Sequence, residues 1–296
     1  MTNRIESSNC PCPSRSTYWH CCRIVHAALI IGFSWGLLCP QQTLGKYMTH
    51  RLTQDPDSKQ LALPKNADEP VLILSYTGGF RAPPKPGFTE TPLLRVFADG
   101  RVITGGASEQ ARVVNAKLKP EQLQNLIGSI VREDKFLDIE AAAISKAIEA
   151  SGDSIMIADA PDTEITLTLA DRQHHVKQYA TQFIGKQFPQ IDSLTNLVNV
   201  ERRLRRVYGW AQVGGDAEIE KMLTAINDFH KTDKPDIPAV TLEDLSWANW
   251  TSRGELQAYF IKSIPANGNS AQRTAVVNVE VQPDGKFKIQ SNVEAR

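Results

Sequence analysis

Four carboxylates, Asp153, Asp159, Asp162 and Glu164, crowd one turn in the stretch DSIMIADAPDTE. Carboxylate oxygens are what a hard cation such as calcium takes. The D-x-D-x-D-G alternation of a calcium loop is absent, however, and aspartates in turns ordinarily bond their own backbone. No metal site is expected here. Downstream stands the doublet His174-His175, which alternation in a strand sends to opposite faces, so the two rings cannot readily share one ion. Asp159, His175 and Tyr179 together hold the acid, base and hydroxyl that a hydrolase with a dispersed site would need.

Other chemistries are missing from the chain. It carries no phosphate loop, dinucleotide fingerprint, nucleophile elbow or HExxH helix, and no cofactor is expected. All five cysteines (Cys10, Cys12, Cys21, Cys22, Cys39) fall in the first 39 residues, which removes thiol catalysis from the body. The binding candidates are therefore Asp159, Asp162, His175 and Tyr179 around the central turn, with Trp247 and Trp250 nearer the C-terminus. No residue is assigned a catalytic role. The two tryptophans either cap an apolar sheet face or anchor a partner.

These residues need elements to hold them. The central stretch reads as three strands: one around Ile155 and Ile157, one through Ile165, Leu167 and Leu169, and one over His174–Ala180. A loop centred on Asp171-Arg172 sets Val176 opposite Leu167 and His174 opposite Leu169, with Thr168 and His175 on the wet face. Upstream, Val71–Tyr76 is a buried strand ended by Gly78-Gly79. Residues 80–92 form a proline-rich loop, and Leu93–Thr104 is a hairpin turning at Asp99-Gly100.

Helices are expected from Leu118, with Leu123, Leu126, Ile127, Ile130 and Val131 inward, and over residues 138–150. Another runs from Phe188 to Val207, its end carrying Arg202, Arg203, Arg205 and Arg206 as a solvated cationic terminus. After Gly214-Gly215 a further helix starts with Asp216 as N-cap. A meander over Glu255–Ser263, Arg273–Gln282 and Lys286–Gln290 closes the chain. Its Pro283-Asp284-Gly285 turn pairs Val281 with Phe287 and Val279 with Ile289.

The fold class expected is α+β: antiparallel sheets with helices packed on one face, and a smaller C-terminal α+β unit. The chain divides into an N-terminal segment 1–45, a linker 46–69, a main domain 70–213 and a helix-plus-meander unit 214–296. Arg23 precedes the uncharged run Ile24–Cys39, which is short for a membrane span and has the character of an export signal, either cleaved or kept as an anchor. Beyond residue 45 the chain holds 30 basic and 32 acidic residues, so nothing pulls it toward nucleic acid or, outside the N-terminal segment, toward membrane.

Four motifs follow one another in order: Leu74-Ser-Tyr-Thr-Gly-Gly-Phe80, Phe97-Ala-Asp-Gly-Arg-Val-Ile103, Ile157-Ala-Asp-Ala-Pro-Asp-Thr163 and His175-Val-Lys-Gln-Tyr-Ala180. Across residues 71–208 the chain resembles a group of uncharacterised exported bacterial proteins. The resemblance implies an exported α+β domain and transfers no site residues. The function expected is a non-catalytic binding or interaction module of the cell envelope, periplasmic or extracellular, meeting an envelope component that is protein or glycan. The alternatives are an exported hydrolase and a purely structural module.

Overall fold

The computed structural model describes residues 61–79, 91–105, 112–153, 157–251, 253–265, 273–282 and 284–295. The N-terminal segment, the proline-rich loop over 80–90 and the expected strand around Ile155 lie outside the described residues. The fold is α+β, with two antiparallel sheets and five α-helices among the described residues. No described helix is long and apolar enough to cross a membrane.

The larger sheet contains β1 (Pro70–Thr77), β2 (Leu94–Phe97), β3 (Arg101–Thr104), β4 (Asn115–Lys117), β5 (Asp162–Thr168) and β6 (Gln173–Tyr179), in the order β4-β3-β2-β1-β5-β6. Alternation explains its inner face: Leu72, Leu74, Val96, Val102, Ile165, Leu167 and Val176 are buried on neighbouring strands. The β2–β3 hairpin turns at Asp99-Gly100 as its sequence dictates, with Gly100 in the left-handed region that glycine adopts at little cost. The short β4 was not expected, because Asn-Ala-Lys has no strand signature of its own.

The β5–β6 hairpin corrects the sequence-based register. Ile165 faces Val176 and Leu167 faces His174, around a tight loop that Leu169 closes by donating to the Arg172 carbonyl at 2.8 Å. The pairing slips by an even step, which keeps the same residues together on each side of the hairpin. The hydrophobic pattern cannot distinguish the two registers. The loop is also tied from outside, since the Ala170 amide donates to the Ala62 carbonyl at 3.0 Å. Residues 61–69, expected to be linker, thus belong to the fold, where Leu61 and Leu63 pack against the core.

α1 (Pro120–Gly128) continues through a π-turn at Ser129–Glu133, and α2 (Ala141–Ser151) follows. Beyond β6 come α3 (Thr181–Gln187), α4 (Asp192–Val213) and α5 (Asp216–Asp233). α4 runs past the expected end at Val207, which puts the four arginines in mid-helix. Arg203 pairs with Asp134 at 2.7 Å, Arg206 donates to the Glu243 carbonyl at 2.7 Å, and Arg202 donates to Asn199 at 2.9 Å. Arg203 and Arg206 are structural donors to distant elements, and none of the four arginines stands at the helix terminus. Gly214 and Gly215, both at positive φ, end α4 and cap α5, so Asp216 is the first helical residue of α5 and not its cap.

The second sheet is a meander in the order β10-β9-β8-β7, made of β7 (Leu245–Trp250), β8 (Leu256–Ile264), β9 (Arg273–Val281) and β10 (Phe287–Ala295). Val281 pairs with Phe287 and Val279 with Ile289, the register that the turn chemistry specifies. The two sheets share no strand. One apolar cluster nevertheless runs from Leu72 and Ile165 through Leu204 and Tyr208 of α4 to Leu245, Phe260 and Val277. α4 is the element both sheets touch. It approaches β7 closely at Gly209, where a Cβ would stand 3.1 Å from Leu245 Cδ2 and 3.3 Å from the Ala248 nitrogen.

Candidate functional site

On α4, Glu201, Arg205, Tyr208 and Gln212 follow one another at helical spacing and so share one side of the helix. Glu201 is fully buried, and its Oε1 accepts the Tyr76 hydroxyl of β1 at 2.6 Å. Its Oε2 has no hydrogen-bond partner among the described residues, although Thr163, Gln182 and Arg205 are close enough to favour its charged form. Burial outweighs them and pushes the carboxyl up. Burial, reinforced by the Glu201 charge, pushes the Tyr76 phenol up as well.

Further along the stripe, the Arg205 guanidinium lies 5.2 Å from the Trp247 ring centre with its Nε buried and unpartnered among the described residues. Tyr208 stacks on the same indole at 5.1 Å, and burial raises its phenol to about 12. Gln212 donates to Thr104 Oγ1 at 2.8 Å, and its backbone carbonyl accepts the Trp250 indole N–H at 3.2 Å. The stripe therefore hydrogen-bonds or stacks onto both sheets. A polar stripe of this kind fixes the helix in one rotational setting, since any roll would strand a buried polar group.

The six residues singled out from sequence do not gather at one place. Asp159 is exposed, in the left-handed region at φ 60°. Asp162 opens β5 and lies 3.3 Å from Lys177, which also holds Glu164 at 2.8 Å and, together with Thr77, keeps that carboxyl below its usual range. An ammonium thus occupies the space between two of the carboxylates considered for calcium. Among the described residues no three His, Cys, Asp or Glu side chains cluster as metal ligands.

The histidine doublet splits as alternation requires. His174 turns inward, its Nε2 3.0 Å from the Ile139 carbonyl and its ring edge-on to Phe136, while the exposed His175 reaches Thr166 Oγ1 at 3.0 Å. The Tyr179 hydroxyl donates to the Ile157 carbonyl at 2.9 Å and accepts the Ala160 amide at 3.2 Å. Its hydrogen-bonding capacity goes into holding the Asp159 turn. Trp247 and Trp250 are the β7 side of the α4 contact, and Arg112 lies over the Trp250 ring at 4.1 Å.

A different feature was invisible in the sequence. β4 is an edge strand, and the Thr104 amide donates to the Val114 carbonyl at 3.0 Å while the Leu118 amide donates to the Gly100 carbonyl at 2.8 Å. Antiparallel pairing alternates, so the even-numbered residues bond β3 and the peptide groups of Asn115 and Lys117 point away from the sheet. Beside this edge lies an open groove of about 270 Å³, bounded by residues 114–117 and by Trp210, Ala211, Gly214, Gly215 and Asp216.

Searches against protein-family models, curated proteins and solved structures find no match.

Small side chains border the groove, with Ala116 on the strand side and Ala211, Gly214 and Gly215 opposite. Asp216 at its rim is already engaged by the Trp210 indole at 2.9 Å, Gln122 at 3.2 Å and Lys119 at 3.4 Å. A larger groove of about 530 Å³ lies between residues 61–63, the β2–β3 turn and the start of α1, but no strand edge runs along it. What the β4 groove can do is add a strand: outward amides and carbonyls lie on one side, with an unfilled space for side chains next to them.

Proposed function

We propose that this chain is an exported, non-catalytic binding module of the cell envelope and that it meets its partner along the free edge of β4. The observation that carries the reading is an edge that is unpaired among the described residues and opens onto the groove between residues 114–117 and 210–216. Export is supported by the Arg23-then-apolar run, by the confinement of every cysteine to the N-terminal segment up to Cys39, and by the resemblance to exported bacterial proteins. The envelope partner is a protein or a glycan. The hydrolase reading has less support, because backbone groups occupy the Tyr179 hydroxyl and His175 sits well away from it along the same strand.

Affinity capture from native envelope extract tests the surface, comparing wild type with Asn115→Pro. Proline there removes an outward N–H and leaves the β3 ladder intact. Specific capture that the substitution abolishes supports the reading; capture that it leaves unchanged removes the β4 edge from the function. Mass spectrometry of the native protein tests export, and an N-terminal segment found intact in the cytoplasm would overturn it.

A further inference from the structure

Resting on the reading of the β4 edge as the binding surface, we infer that its occupant is an extended acidic segment of a partner protein, added to the sheet as a further strand. Three observations converge on this class of ligand. The first is the set of donors and acceptors at Asn115 and Lys117, which only an extended backbone matches at strand spacing. A glycan would bring hydroxyls without that period.

The second is the shape of the groove. Val114 and Ala116 face the helices beside Val102 and Thr104, so alternate side chains of an added strand fall toward Ala211, Gly214 and Gly215. That space takes small or branched apolar side chains.

The third is charge. Arg112 stands at one end of the edge, over the Trp250 ring, and Lys117 at the other, and neither makes an ion pair among the described residues. Asp99, which feels the Lys117 charge, is bonded to Arg101, and Asp216 is neutralised by Lys119. At strand rise the two cations stand ~16 Å apart. A segment with an acidic residue toward each end and small apolar residues between them satisfies both. Lysine on an edge strand also discourages random pairing, and it would select for an acidic partner by the same repulsion.

The test uses the full-length chain and three probes: the capped peptide Glu-Val-Thr-Val-Thr-Glu, the same peptide with lysine at both ends, and a chitin tetrasaccharide. Binding is read by titration and by hydrogen exchange at the Asn115 and Lys117 amides, which strand addition must slow. The inference expects the acidic peptide to protect those two amides and the lysine peptide to bind about tenfold more weakly. Asn115→Pro and the groove-filling Ala116→Phe should each abolish binding while unfolding at the wild-type denaturant midpoint.

Equal binding of both peptides with the amides protected would overturn the acidic preference and leave the edge as the surface. Saccharide binding that depends on Asn115, with no peptide binding, would overturn the strand and keep the edge. Peptide binding that leaves both amides unprotected and ignores both substitutions would overturn the inference and the underlying reading together. No binding by any probe would overturn the inference alone, the edge being tested separately by capture.

Discussion

Glu201 and His230 are each buried between a helix and a sheet, one in each half of the molecule, and they differ in what burial does to them. Glu201 on α4 lies against the six-stranded sheet, bonded to the Tyr76 hydroxyl, and burial raises its carboxyl. His230 on α5 lies against the meander, its Nε2 3.2 Å from Ser291 Oγ and its Nδ1 unpartnered among the described residues, and burial lowers its imidazole. The same desolvation thus favours the proton on one group and disfavours it on the other. Both shifts favour the neutral form of the buried group, and they therefore act in opposite directions along the pH scale.

The largest effects test whether these halves unfold together. Leu167→Asp buries an unpaired carboxylate under the six-stranded sheet, and Val277→Asp does the same under the meander; both positions are fully buried. Each should cost several kcal/mol, about 3–5 kcal/mol. Because one apolar cluster spans α4, each substitution should shift a single urea transition followed by both near-UV and far-UV signals. Two transitions, each sensitive to only one substitution, would show the halves to be independent.

At the contact between them, Gly209→Val drives methyl groups into Leu245 and the Ala248 backbone. The loss should be about 2 kcal/mol, net of the helix-propensity gain over glycine. An unchanged midpoint would mean that α4 and β7 separate freely. Thr168 is only 7% exposed, and its hydroxyl accepts a hydrogen bond from the Gln173 side-chain Nε2 at 3.0 Å. This corrects the alternation-based expectation that Thr168 is wet. Thr168→Asp should therefore cost on the order of 1 kcal/mol or slightly more. A loss equal to that of Leu167→Asp would mean the strand is equally dry on both faces.

The smallest effects sharpen the contrast in protonation. The raised Glu201 carboxyl binds its proton more tightly folded than unfolded. Its contribution is full below the ordinary value of 4.5 and is lost as pH rises through the folded value. The lowered imidazole of His230 does the reverse: its contribution is full above 6.5 and is lost as pH falls through the depressed folded value. Urea midpoints measured across pH should therefore flatten on the acid side in His230→Gln, and Glu201→Gln should remove the decline on the rising side. If both substitutions altered the same limb of the profile, the assignment of opposite signs would be wrong.

What the sequence determined by itself is whatever rests on contacts between near neighbours. The Asp99-Gly100 turn, the β9–β10 register, the apolar side of α1 and the split of His174 from His175 all follow from turn chemistry and periodicity over a few residues. Tertiary structure decided the rest. The β5–β6 register departs from expectation because an even slip preserves the faces, so periodicity cannot choose between the two pairings, and the bond from Ala170 to Ala62 ties the observed loop from outside the hairpin. α4 runs on through Gly209, a residue that weakens a helix in isolation and here permits close approach to β7. Glu201 reads as one more polar helix position until Tyr76, far earlier in the chain, supplies its donor. The β4 edge is the extreme case: Asn-Ala-Lys has no strand propensity of its own, and it is a strand only because β3 lies beside it.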